Sequence, residues 1–163
     1  MKSEASLRRS IKGWIIFFML SLVLSGVTAF ALETELGWLK GIMDDKASLL
    51  YLWIDKVYMA LHQTNIHYPF LSYGYDWLAF GHLVIAVAFI GPLRDPVRNI
   101  WIIQFGIIAC CMVFPLAFIA GYIRGIPIYW QLIDCSFGII GLVPLCICYY
   151  KISALEKRVK NTL

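Results

Sequence analysis

His82 and Asp134 are the residues best placed to do chemistry, because each stands inside a long and otherwise uncharged apolar stretch: LAFGHLVIAVAFIGPL around the first, IYWQLIDCSFGIIGLVPL around the second. A charge at the centre of a bilayer costs about 2.5–3.5 kcal/mol even on lenient insertion scales, so such residues face protein or trapped water and mark candidate sites. An imidazole and a carboxylate at one depth have three uses: to hold a ligand or ion, to pass a proton, or to fix two helices in register. If the helices carrying them enter from the outer side near Gly74 and Ile128, His82 lies about 12 Å down and Asp134 about 9 Å down at helical rise. Ala79 and Ala86 flank the first and Gln131 and Gly138 the second, neighbours suited to a helix interface rather than to lipid. The expectation is that the two face each other, with Asp76 and Arg124 above them near the surface. His82, Asp134, Gln131, Asp76 and Arg124 are therefore the candidate ligand-binding residues.

The elements that position them follow from composition. Of 163 residues, 61% are hydrophobic and 15% charged, far from the half-apolar, quarter-charged usage of a soluble domain. The formal charge of +4 predicts no nucleic-acid face, since the basic residues gather at the chain ends and in one short link. The predicted fold is an all-α membrane protein: a four-transmembrane-helix bundle with an extracytoplasmic amphipathic helix between spans 1 and 2.

In order, a basic N-terminus over 1–12 leads into span 1 over 13–32. Twenty residues at about 1.5 Å each match a hydrocarbon core of roughly 30 Å, and Ser21, Ser25 and Ala29 offer a face for close packing. The same stretch has the parts of a cleaved signal peptide: a basic start, an apolar run from Trp14 to Val27, and the Ala29-Phe30-Ala31 triplet. Residues 33–71 form the long loop, with an amphipathic helix over 45–63 whose N-cap is Asp45. Asp44, Ser48, Tyr51, Asp55, Tyr58 and His62 share one face, and Leu49, Leu50, Leu52, Trp53, Val57, Ala60 and Leu61 fill the remainder. That pattern suits the bilayer surface. Pro69 excludes a continuous helix into span 2 (72–93), which Gly91-Pro92 closes. Asp95-Pro96 opens span 3 (96–123) as N-cap and first-turn proline. Span 4 covers 128–150, and Pro115 and Pro144 predict kinks. A basic, frayed tail occupies 151–163.

Chemical motifs are sparse. Cys110, Cys111, Cys135, Cys146 and Cys148 lie in apolar segments with no C-x-x-C, and of His62, His67 and His82 only the last is within a span. No cofactor and no metal site is expected. No phosphate loop, serine elbow or H-E-x-x-H is present. The ten Ile, Leu, Val and Phe residues of span 4 contribute about −3 to −6 kcal/mol toward insertion, enough to carry Asp134 without any ligand. The first expectation for function is thus a non-enzymatic accessory or assembly subunit whose buried polar cluster holds helices in register. Its partners would be the lipid bilayer and a protein partner or second copy. The alternative is a binder or enzyme acting on a lipid-like molecule at His82 and Asp134. A proton-coupled small transporter comes third, since below His82 there are only Gln104 and cysteine thiols. In layout alone the chain resembles the sterol-isomerase and sigma-2-receptor group, a likeness of topology that assigns no residue.

Lys2, Arg8, Arg9, Lys12, Arg94, Arg98, Lys151, Lys157, Arg158 and Lys160 fall on one side of four spans, and Lys40, Lys46, Lys56 and Arg124 on the other. By the positive-inside rule both termini are cytoplasmic, in a bacterial inner membrane. Site-directed labelling should place the two ends and the 94–98 link on one face and the 33–71 loop on the other. Ends and link on opposite faces, or a mature chain starting at Leu32, would overturn the four-span count.

Overall fold

The computed structural model describes residues 4–160, so the outermost positions of the predicted basic ends, 1–3 and 161–163, lie outside the described residues. Every regular element among the described residues is an α-helix: α1 (Glu4–Phe30), α2 (Leu32–Ile42), α3 (Leu49–His67), α4 (Pro69–Ala88), α5 (Ile90–Arg94), α6 (Ile100–Arg124) and α7 (Ile128–Lys160). Four helical segments are long and apolar enough to cross a membrane: Glu4–Phe30, Pro69–Arg94, Ile100–Arg124 and Ile128–Arg158. This is the pattern of a multi-pass membrane protein.

The helix ends follow local chemistry and correct several expected boundaries. The amphipathic helix begins at Leu49 rather than 45. Ser48 is its cap, its Oγ accepting the Tyr51 N–H at 3.2 Å. Asp45 instead organises the preceding turn, accepting the Ala47 N–H at 3.0 Å. Tyr68 alone separates α3 from α4, and Pro69 takes the first position of α4, where its missing N–H leaves nothing unsatisfied. Pro92 cannot donate to the Ala88 carbonyl, and α4 ends at Ala88, with α5 restarting after Phe89. Asp95 caps an isolated turn through the Arg98 N–H at 3.1 Å, so α6 starts at Ile100 rather than 96. The tail is not frayed: α7 runs on to Lys160, and Ile152 and Leu155 are fully buried.

The chain divides into two compact units, one of Met1–Leu20 with Ala86–Leu163 and one of Ser21–Ile85. In the first, α6 and α7 pair antiparallel through small residues. A Cβ on Gly106 would lie 2.9 Å from Leu145 Cδ1, one on Gly138 2.9 Å from the Cys110 carbonyl oxygen, and one on Gly121 2.5 Å from the Gln131 side chain. Helices that approach this closely gain dispersion contacts that lipid cannot supply. Further along, Ile11 and Ile15 of α1, Phe89, Ile103 of α6, and Leu145, Cys148, Ile152 and Leu155 of α7 are all fully buried. The Phe18 and Phe89 rings sit 4.8 Å apart. Cys148 Sγ donates to the Ile11 carbonyl at 3.7 Å, and Lys151 Nζ donates to Ser10 Oγ. The last turns of α7 thus hold the first half of α1.

The corner between α6 and α7 is closed by backbone geometry. Gly125 has φ 65° and ψ 30°, a left-handed conformation open to glycine at little cost. The Gly125 N–H meets the Tyr122 carbonyl at 3.2 Å and the Ile126 N–H the Gly121 carbonyl at 2.9 Å, the paired bonds of a Schellman motif.

In the second unit, α2 and α3 form a helical hairpin around Leu36 and Ile54, the one 7% and the other 1% exposed. Tyr58 packs on Gly37, and α1 meets α4 at Gly26, where a Cβ would stand 2.9 Å from the Ala79 carbonyl oxygen. The close glycine contact of α1 is at Gly26, and of the three small residues expected to line its packing face Ser25 is exposed while Ser21 and Ala29 are half-buried. Gly138→Ala should destabilise the protein by about 1–3 kcal/mol, because the Cys110 backbone cannot yield as a side chain would. Gly13→Ala, with nothing within 4 Å of the added atom, should be neutral or gain up to about 1 kcal/mol. Denaturation midpoints in mixed micelles measure the contrast.

Candidate functional site

The densest polar constellation is one that hydropathy does not reveal. Glu33 in the first turn of α2 accepts from His62 Nδ1 at 2.5 Å through Oε1 and from Asn65 Nδ2 at 2.5 Å through Oε2. Asn65 Oδ1 in turn accepts the Ser72 hydroxyl and the Tyr75 hydroxyl, the latter at 3.0 Å. One amide thereby ties α2, α3 and the start of α4 together. His62 and Asn65 are three apart on α3 and Ser72 and Tyr75 three apart on α4, so each pair shares a helix face. Tyr58 stacks on the His62 ring at 5.8 Å with planes 7° apart. One turn further along the hairpin, Lys40 pairs with Asp55 and lies 4.3 Å from the centre of the Tyr58 ring.

The electrostatics follow from these bonds. The Asn65 amide, and after it the His62 ring, hold the Glu33 carboxyl below its ordinary range, because hydrogen bonds to a carboxylate favour its charged form. Asp55 accepting from Lys40 raises the ammonium above its usual value. Nδ1 of His62 is directed at the carboxylate and donates to it, leaving Nε2 as the second ring nitrogen. The arrangement is therefore a carboxylate-oriented imidazole at the edge of a knot of side-chain donors.

The residues singled out from hydropathy are placed differently. Gln131 is buried, and its Nε2 donates to the Ile126 carbonyl at 2.7 Å, which clasps the α6–α7 corner. His82 is half-buried, with Nδ1 2.8 Å from the Leu78 carbonyl of its own helix and Cβ 3.1 Å from where a Cβ on Gly26 would lie. Asp76 is half-buried one residue beyond Tyr75. Asp134 is half-buried beside the α7 face that carries Gln131, Cys135 and Gly138, and Arg124 is exposed in the last turn of α6. His82 and Asp76 belong to the Ser21–Ile85 unit, whereas Asp134, Gln131 and Arg124 belong to the other. Gln104, expected to pack between helices, is exposed.

An open apolar groove of about 570 Å³ runs beside the corner, lined by Phe118, Gly121, Tyr122, Ile126, Ile128 and Gln131. Asp134 is not in its wall. No group of three or more His, Cys, Asp or Glu among the described residues is arranged to hold a metal ion.

No protein-family profile, curated protein or solved structure matches the chain. Glu33, Asn65, Ser72 and Tyr75 were missed because Glu33 stands 29 residues from His62 and 32 from Asn65 in sequence, and no local period links them. The available signal was the three-residue spacing within each of the two pairs.

The sign of the Glu33 shift sets a pH dependence. Its carboxyl is lower when folded, so its contribution to stability is complete above the ordinary carboxylate value of about 4.3 and is lost as pH falls through the lower folded value. Carbon-13 titration of the Glu33 carboxyl should give a midpoint below about 4.3. Asn65→Ala should move it upward and speed amide exchange at the α3–α4 joint. An unchanged midpoint would show that Asn65 is not what holds the carboxylate.

Proposed function

We propose that the protein is a non-enzymatic accessory or assembly subunit of a bacterial inner membrane, with both termini cytoplasmic and the α2–α3 hairpin on the extracytoplasmic side. In this reading α3 is the extracytoplasmic amphipathic helix, and His82 and Asp134 are each polar groups that help set the register of the spans carrying them. The observation that carries the proposal is how the polar side chains are engaged. Asn65 joins three helices, Gln131 clasps the α6–α7 corner, and His82 Nδ1 bonds the carbonyl of Leu78. Polar groups of this kind confer specificity of packing and partner choice, since a mispaired arrangement leaves them unsatisfied in low dielectric.

Purification in mild detergent followed by mass photometry should yield a complex of defined stoichiometry, either with a second protein or with further copies of the 18.6 kDa chain. His82→Ala and Asp134→Asn should each lower its dissociation temperature. A monomer without partners, or lipid-like density held at His82 and Asp134 and lost in those variants, would overturn the assembly reading in favour of ligand chemistry.

A further inference from the structure

The α2–α3 hairpin, built around Leu36 and Ile54, also gathers bonded polar side chains between its helices and leaves an apolar row exposed. Its inward side carries Glu33, Lys40, Asp55, Tyr58, His62 and Asn65, bonded or stacked on one another. Its outward side carries Trp38 and Ile42 on α2, 69% and 54% exposed, and Leu52, Met59 and Ile66 on α3, 53%, 46% and 59% exposed. Leu52, Met59 and Ile66 are seven residues apart and so form one row along α3. A soluble domain would bury such a row.

Three further observations say what covers it. Ala31 alone joins the hairpin to α1, and Tyr68 alone joins it to α4; one residue spans about 3.8 Å, so both ends of the hairpin are held at the ends of membrane-length helices. At the second joint Tyr68, Phe70, Tyr73 and Trp77 are between 57% and 70% exposed, in edge-to-face pairs of Tyr68 with Phe70 and Tyr73 with Trp77. Exposed aromatics in such a band sit at headgroup depth. The hairpin between Leu32 and His67 also carries five carboxylates against three lysines, which excludes attraction to anionic headgroups as the driving term.

We propose that the α2–α3 hairpin lies in the plane of the bilayer, with Trp38, Ile42, Leu52, Met59 and Ile66 seated at the boundary between phospholipid headgroups and acyl chains. This rests on the multi-pass reading above and names lipid, rather than protein, as what covers this surface. Insertion is driven by apolar area, to a depth of about 5–10 Å. Within the hairpin Lys40 pairs with Asp55, and Glu33 accepts from His62 and Asn65, while Glu35, Asp44 and Asp45 stay exposed. Lys56, exposed beside the apolar row, extends its ammonium to the headgroup level.

The test uses the full chain in phosphatidylcholine nanodiscs, with p-benzoylphenylalanine substituted singly at Leu52, Met59 and Ile66, and at Asp45 as a control in the α2–α3 turn. After irradiation, mass spectrometry should find phosphatidylcholine adducts at the three row positions in at least severalfold excess over position 45, with yields unchanged by high salt. Adducts to a second copy or to another protein at those positions, or lipid yields no higher than the control, would overturn the proposal. Three separate positions keep one poorly folding variant from deciding the matter. Lipid adducts on a chain that purifies without partners would sink the assembly reading and leave this one standing, and protein adducts within a stable complex would do the reverse.

Discussion

Hydrocarbon offers no partner to a peptide N–H or C=O, and the rest of the architecture depends on that deficit. Each place where a helix stops needs a local solution. At the α3–α4 joint it is a proline in the first helical position, which has no N–H to orphan. At the α6–α7 corner it is the left-handed Gly125 with two backbone bonds folded back onto Gly121 and Tyr122, reinforced by the Gln131 amide on the Ile126 carbonyl. Gln131 is thus a polar residue whose burial serves the backbone. Its neighbour across the interface is a glycine because nothing larger fits: a Cβ at Gly121 would meet the Gln131 side chain at 2.5 Å.

The same deficit explains why the protein holds together by small residues and short polar links. Burial of apolar area drives helix association weakly when the surrounding solvent is itself apolar, which leaves close packing and interhelical hydrogen bonds as the main terms. Gly106, Gly121 and Gly138 supply the first between α6 and α7. Cys148 and Lys151 supply the second, fastening the end of α7 to the carbonyl of Ile11 and the hydroxyl of Ser10. In the Ser21–Ile85 unit, Asn65 has the greater consequence, because its donor and acceptor sides are both engaged. Its amide N–H binds the Glu33 carboxylate and its oxygen takes two hydroxyls from α4, so α3 is fixed to the helices before and after it by one side chain.

That arrangement connects to function through exposure. By gathering Glu33, Lys40, Asp55 and His62 on its inward side, the hairpin frees its outer side to be apolar. That outer side leaves Trp38, Ile42, Leu52, Met59 and Ile66 exposed, next to the exposed aromatic residues of the α3–α4 joint.

Length, hydropathy and proline position determined the helical class, the four segments able to cross a membrane and the break before Pro69, because these depend only on local chemistry: the solvent preference of a stretch of side chains and the absence of an N–H. They also located the polar stripe of α3. What only the tertiary structure decided is which way that stripe faces and which residues answer it. Ser48 rather than Asp45 caps α3, Ile152 and Leu155 are core rather than tail, Gly26 rather than Ser25 marks the close approach of α1, and Glu33 finds Asn65 across 32 residues of chain. A one-dimensional period reports that residues share a helix face. It carries no term for the partner helix, and in lipid the choice between inward and outward is made by that partner's hydrogen-bonding groups and by the close fit of its glycines.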